Sequence, residues 1–152
     1  VDSGFKILGI NHVGLAPKNP AQTRTFFSDL LSLAFHGDEL VKEQKTLTSM
    51  FSSLDAGLAQ KPEHKHAARL EVLEPHEGTG PIAAFLDKKG SGIHHIALTV
   101  DSVDKALAWM KARGVRMIDD TPRTGAHNTR IVFIHPEATG GLLVELVEES
   151  GH

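Results

Sequence analysis

The sequence predicts an α+β chain in which one module, strand-helix-strand-strand-strand, occurs twice. Two observations carry this. Gly9-Ile10-Asn11-His12-Val13-Gly14-Leu15 recurs as Gly92-Ile93-His94-His95-Ile96-Ala97-Leu98, and a capped helix follows each copy. Leu70-Glu71-Val72-Leu73-Glu74 recurs as Val144-Glu145-Leu146-Val147-Glu148 at the module ends. Self-similarity at a fixed spacing is the mark of a repeated structural unit.

Each element has a local reason. Ile7 to Leu15 reads as a strand that stops near Pro17. Asn19 is a helix cap with Pro20 at the first helical position, and Phe26, Phe27, Leu30 and Leu31 give that helix an apolar stripe to about Leu33. Leu40 to Leu54 holds two strands. Asp55 to Ala68 is polar, contains Gly57 and Pro62, and reads as a loop that carries His64 and His66 into solvent. Arg69 to Leu73 is a strand, and Pro81 to Lys89 is a short helix between a proline start and Gly90. The order then repeats. Ile93 to Val100 is a strand, and Ser102 caps a helix that runs to about Arg113 and ends at Gly114. Val115–Ile118, Thr129–Ile134 and Leu142–Val147 are the remaining strands.

An offset of 83 residues brings Ile10, His12, Leu15 and Phe26 onto Ile93, His95, Leu98 and Trp109. Phe26 and Trp109 read as core. His12 precedes Glu71 by 59 residues and His95 precedes Glu145 by 50, so the first module holds extra loop, most simply at 55–68. The organisation is one domain over 1–152, with modules at about 7–75 and 93–148 and a linker helix at 81–89.

With 152 residues, 40% apolar and 23% charged, the chain can bury a sizeable core. A net charge of -3 argues against nucleic acid or an anionic membrane as the main partner. No apolar run is long enough to span a bilayer, and no stretch reads as a signal peptide. Zero cysteines exclude disulfides and thiolate zinc sites, which suits a reducing compartment such as the cytoplasm.

Side chains alternate across a strand. His12 therefore shares a face with Gly14 and Ala16, and His95 shares one with Ala97 and Thr99; the larger aliphatics point the other way, towards the helix, with His94. Glu71 and Glu145 likewise point away from their aliphatic neighbours. Each module thus sends one His and one Glu to its open face. Buried carboxylates need partners, and two imidazoles with two carboxylates suit a borderline divalent ion such as Mn, Fe, Co, Ni or Zn. Any one of the four alone reads as an ordinary core or edge residue; the recurrence of the pair makes them candidate ligands.

At these residues the chain resembles the vicinal-oxygen-chelate superfamily, which includes glyoxalase I, extradiol dioxygenases and methylmalonyl-CoA epimerases, over about Ile7 to Glu148. It is most similar to the epimerase family, through Pro81 to Leu98 and through Gly125 to Glu148, where His135-Pro136 is followed by Thr139-Gly140-Gly141 and a Leu-rich strand. The resemblance implies two βαβββ modules forming an incomplete curved barrel around one divalent metal (Co, Mn, Ni, Zn or Mg), with His12, Glu71, His95 and Glu145 as ligands. It implies an acyl-CoA substrate, epimerisation of methylmalonyl-CoA at its α-carbon through an enolate, and acid/base roles for Glu43 and Glu145. Glu43 matches the family's Glu-Gln pattern in Glu43-Gln44, while Lys45 departs from the family's glycine and the segment to Glu71 is about a dozen residues longer. A homodimer in the cytoplasm, or in the mitochondrial matrix of a eukaryote, is the family expectation. Lys88, Lys89, Arg123 and Arg130 are candidates for coenzyme A phosphates by charge alone.

A glyoxalase I-type lyase acting on a glutathione hemithioacetal would use the same ligands. A dioxygenase would want two His and one carboxylate, and Glu71 is one ligand too many. A non-catalytic small-molecule-binding module of the same fold is the remaining alternative.

Overall fold

The computed structural model describes residues 2–53, 61–64 and 67–150. Strand β1 spans Ile7–Ala16 and helix α1 spans Pro20–Thr25, continuing as a π-helical turn over Phe26–Leu30. Strands β2 (Ala34–Val41), β3 (Thr46–Ser52) and β4 (Arg69–Pro75) follow, then α2 (Pro81–Lys89), β5 (Gly92–Val100) and α3 (Val103–Ala112). Strands β6 (Arg123–Thr124) and β7 (Arg130–Ile134), the short helix α4 (Pro136–Thr139) and strand β8 (Val144–Glu148) complete the chain. The expected caps are made: Asn19 Oδ1 accepts the Gln22 amide and Ser102 Oγ accepts the Lys105 amide. The predicted loop at 55–68 falls largely outside the described residues, which there include only a 3-10 turn over Pro62–His64 and the residues flanking it. No helix among the described residues is long and apolar enough to cross a membrane.

The chain forms two compact units, His12–His94 and Val1–Asn11 with His95–His152. In the first, hydrogen bonding runs β2-β3-β4-β1. β4 lies parallel to β1 with Glu71 beside Gly14, and antiparallel to β3 with Met50 opposite Glu71 and Thr48 opposite Leu73. β2 continues the ladder with Glu39 opposite Thr48. Partners across a ladder share a face, so Gly14, Glu71, Met50, Thr48 and Glu39 lie on one side, together with His12 two residues before Gly14. At the far end of this face Ala16 and Leu73 are covered by Ile82, Phe85 and Leu86 of α2. The other side meets α1, where the Phe27 ring stands edge-on to Phe51 at 5.5 Å. Phe26 corrects the expectation from sequence: it is 48% exposed. One residue along a helix is a rotation of about 100°, so a helix that turns Phe27 to the sheet turns Phe26 away from it.

In the second unit the order is β5-β8-β7-β6. Val103, Ala106 and Leu107 of α3 pack on Val100, Val132, Ile134 and Leu146. The opposite side carries Ala97, Ile131, Phe133 and Val147. The strand expected at Val115–Ile118 does not form; Met117 makes a single bridge to Ile134. The cause is local. Asp119 Oδ2 accepts the Phe133 amide at 2.7 Å, taking the donor that a continuing strand would need. Pro122 then offers no donor of its own, and pairing resumes only at Arg123–Thr124. The turn after β6 requires Gly125: a Cβ there would lie 2.8 Å from Ile131 Cγ2. In the His-Pro segment, His135 Nδ1 accepts the Glu137 amide as the cap of α4, and Gly140 ends that helix at φ 83°, a left-handed conformation that favours glycine.

Candidate functional site

Each unit brings one expected His–Glu pair together. In the first, His12 Nε2 lies 3.6 Å from Glu71 Oε2. In the second, His95 Nε2 lies 3.1 Å from Glu145 Oε2. The pairs arise in the same way. β1 runs parallel to β4, and β5 runs parallel to β8 with Ala97 beside Glu145, so a His two residues before a small residue meets the Glu alongside that residue.

All four side chains are buried, at 4–6% residue exposure. Burying a carboxylate is costly unless a counter-charge or strong donors face it. The separation within each pair suits two ligands of a cation. Two N and O ligands bound at about 2.1 Å stand about 3.0 Å apart at a right angle and about 3.4 Å apart at the tetrahedral angle. The second-unit pair matches the first figure, and the first-unit pair is slightly wider than the second. Phe133, opposite Glu145 on β7, sets its ring edge-to-face with His95 at 5.9 Å. His94 points elsewhere, against Phe85, at 5.1 Å between rings.

Glu43 lies in an exposed 3-10 turn, Lys42–Gln44, just before β3. That turn sits at the Pro75 end of β4, since Thr46 pairs with Pro75 and the His76 amide donates to Lys45 O. Pro75 is four residues past Glu71, roughly 13 Å along the strand, so the turn that carries Glu43 lies at that end of the sheet. Glu39 does share the face of Glu71, as the β2-β3-β4 register requires. Sequence reading passed over it because the bulge between Phe35 and Asp38 breaks the alternation of β2.

Both arginines singled out by charge are engaged. Arg130 grips Asp104 with both Nη groups, at 2.7 and 3.0 Å, and lies 3.8 Å from Glu148. Its hydrogen bond is the main cause holding the Asp104 carboxyl below its ordinary range, and Asp104 raises Arg130 in return. Arg123 Nε stands 3.1 Å from Asp119 Oδ1. Lys89 hangs over the Phe85 ring at 5.7 Å, and Lys88 is exposed at the end of α2.

Known proteins agree with this layout. The family model of the Glyoxalase/Bleomycin resistance protein/Dioxygenase superfamily matches residues 11–133. The mitochondrial methylmalonyl-CoA epimerase of Dictyostelium discoideum is 33% identical over 92% of this chain and 78% of its own. The uncharacterized protein YqjC of Bacillus subtilis is 37% identical over 93% of both chains. A structure of Streptomyces coelicolor methylmalonyl-CoA epimerase in complex with 2-nitronate-propionyl-CoA superposes with a TM-score of 0.85 at 30% identity, covering 96% of this chain and 100% of that one. By sequence and fold alike, the chain belongs to the glyoxalase/bleomycin resistance/dioxygenase superfamily and, within it, to the methylmalonyl-CoA epimerase family.

Proposed function

We propose that the protein epimerises methylmalonyl-CoA, removing the proton at the carbon between two carbonyls and returning it to the opposite face. The observation that carries this reading is the buried His–Glu pair made twice, on equivalent strands, at 3.6 and 3.1 Å. Two carboxylates and two neutral imidazoles balance one divalent cation, so His12, Glu71, His95 and Glu145 are read as its ligands. When bound, such an ion supplies Lewis-acid polarisation of the substrate's oxygens. A solved epimerase complex with methylmalonyl-CoA, 30% identical to this chain, supports the acyl-CoA class of substrate.

The chain's own task is to move the proton. Inversion needs a proton-transfer group on each face of the carbon, one ionised while the other is protonated. Glu145 serves one face. For the other, the family pattern nominates Glu43, which lies in an exposed turn; Glu39 is half-buried and shares the face of Glu71 from two strands away, and is preferred on that ground. A homodimer, in the cytoplasm or the mitochondrial matrix, accompanies this reading, in line with the mitochondrial relatives.

A coupled assay of methylmalonyl-CoA epimerisation with added cobalt tests the function. Turnover is expected. Turnover of methylglyoxal plus glutathione instead would make the protein a glyoxalase-type lyase, and neither activity, with no cation bound, would make it a binding module.

A further inference from the structure

Arg123 departs from a solvated surface arginine in three respects, all inside the second unit. Its register partner is Ile131, opposite Val147, which puts it on the same side of the sheet as Glu145 and Phe133. Its guanidinium lies over the Phe133 ring, 5.1 Å from the centroid, and that ring touches His95. Its Nε is buried against Asp119, whose side chain is only 12% exposed and whose other oxygen is fixed by the Phe133 amide. The contact at Nε is ionic in geometry rather than a hydrogen bond, since that atom makes none. The side chain is 34% exposed, so the guanidinium is neither sealed in the core nor loose in water. Gly125 is part of the arrangement, because any Cβ there would push Ile131 and the β6–β7 turn apart.

An arginine held by its Nε edge keeps the Nη edge for a ligand. Among the described residues no ion pair occupies Nη1 or Nη2 of Arg123. Guanidinium binds planar oxyanions through two parallel hydrogen bonds. The ring on which it stacks also touches His95, so one side chain separates the guanidinium from the proposed place of reaction.

We infer that Arg123, oriented by Asp119, binds the free carboxylate of the substrate and selects dicarboxylic acyl-CoA thioesters over neutral ones. The inference rests on the proposed reading of the His95–Glu145 site as the place of reaction. It assigns Arg123 to substrate binding and Asp119 to positioning. The phosphates of coenzyme A offer a chemically similar oxyanion, and the test separates the two.

The test has two arms. Calorimetric binding of malonyl-CoA and propionyl-CoA to the cation-loaded protein needs no turnover. Malonyl-CoA is expected to bind roughly 100-fold more tightly, as two charge-assisted hydrogen bonds warrant, and Arg123→Gln is expected to abolish the difference. Equal binding of the two by the wild-type protein would overturn the inference, whatever the epimerase assay gives. Discrimination without epimerase activity would overturn the functional reading alone. In the second arm, turnover of methylmalonyl-CoA is compared with that of methylmalonyl-pantetheine, which lacks the nucleotide phosphates. Arg123→Gln should lower kcat/KM by a similar factor on both; a loss confined to the CoA thioester would reassign Arg123 to a phosphate. Guanidinium ion should partly restore Arg123→Ala, and Asp119→Asn should raise KM more than it lowers kcat. A fall in thermal midpoint with no guanidinium rescue and no change in discrimination would make Arg123 a structural residue.

Discussion

Glu145 Oε2 stands 3.1 Å from His95 Nε2, with both side chains buried and Phe133 directly opposite the carboxylate on the next strand. Removing either partner should therefore have different consequences. Glu145→Gln keeps the shape and removes the proposed proton carrier; kcat is expected to fall by about 10²–10⁴-fold. His95→Ala removes a buried imidazole that faces the carboxylate and the Phe133 ring, and denaturant unfolding should show a loss of about 1–3 kcal/mol. Equal stability of His95→Ala and wild type would contradict this account of the pair.

Cation removal should act through the same four residues. After treatment with a chelator the thermal midpoint is expected to drop, and cobalt at 100 times its Kd should restore about 2.7 kcal/mol of stability. Glu71→Gln keeps an oxygen ligand but loses a charge, so its recovery curve should shift to higher cobalt. A midpoint insensitive to both chelator and cobalt would remove the metal from the reading.

The two first-unit carboxylates are separable by solvent deuterium exchange at the substrate α-carbon. Glu39→Gln should slow exchange from one epimer far more than from the other, by about 10²-fold or more, while Glu43→Gln, altered in an exposed turn, should exchange both at wild-type rates. The reverse pattern would return the role to Glu43.

Asp104 in the first turn of α3 tests the electrostatics away from the site. Its carboxyl is held below the ordinary range, chiefly by the Arg130 hydrogen bond. A depressed folded-state value adds stability above the unfolded pKa, and that stability is lost as pH falls through the folded value. Asp104→Asn should thus cost at most about 1 kcal/mol at neutral pH, since the pair is exposed. The difference should vanish in acid, well below the usual carboxylate pKa of about 3.9, when melting curves of the two proteins are compared.

Much of this was legible in the amino-acid order, for physical reasons. Helix caps and proline starts are local, so Asn19-Pro20 and Ser102 located α1 and α3 correctly. Strand alternation is also local, and it separated His95 from His94 and brought each His to its Glu. What escaped depended on partners distant in sequence. Val115–Ile118 has strand composition, yet Asp119 takes the Phe133 amide and the ladder is not built. Glu39 and Arg123 acquire their faces only from register, and neither a bulged strand nor a two-residue strand announces its side.

The duplication in the sequence and the compact units in space are out of phase. One unit begins at His12, inside β1, and ends at His94, inside β5, so the second unit takes its first strand segment, up to Asn11, from the first repeat. Severing the chain in the 76–80 turn would separate the repeats but leave each fragment with parts of both units. Neither half-chain should inherit a foldable whole. The two fragments should regain structure only when mixed, as complementing pieces of one fold.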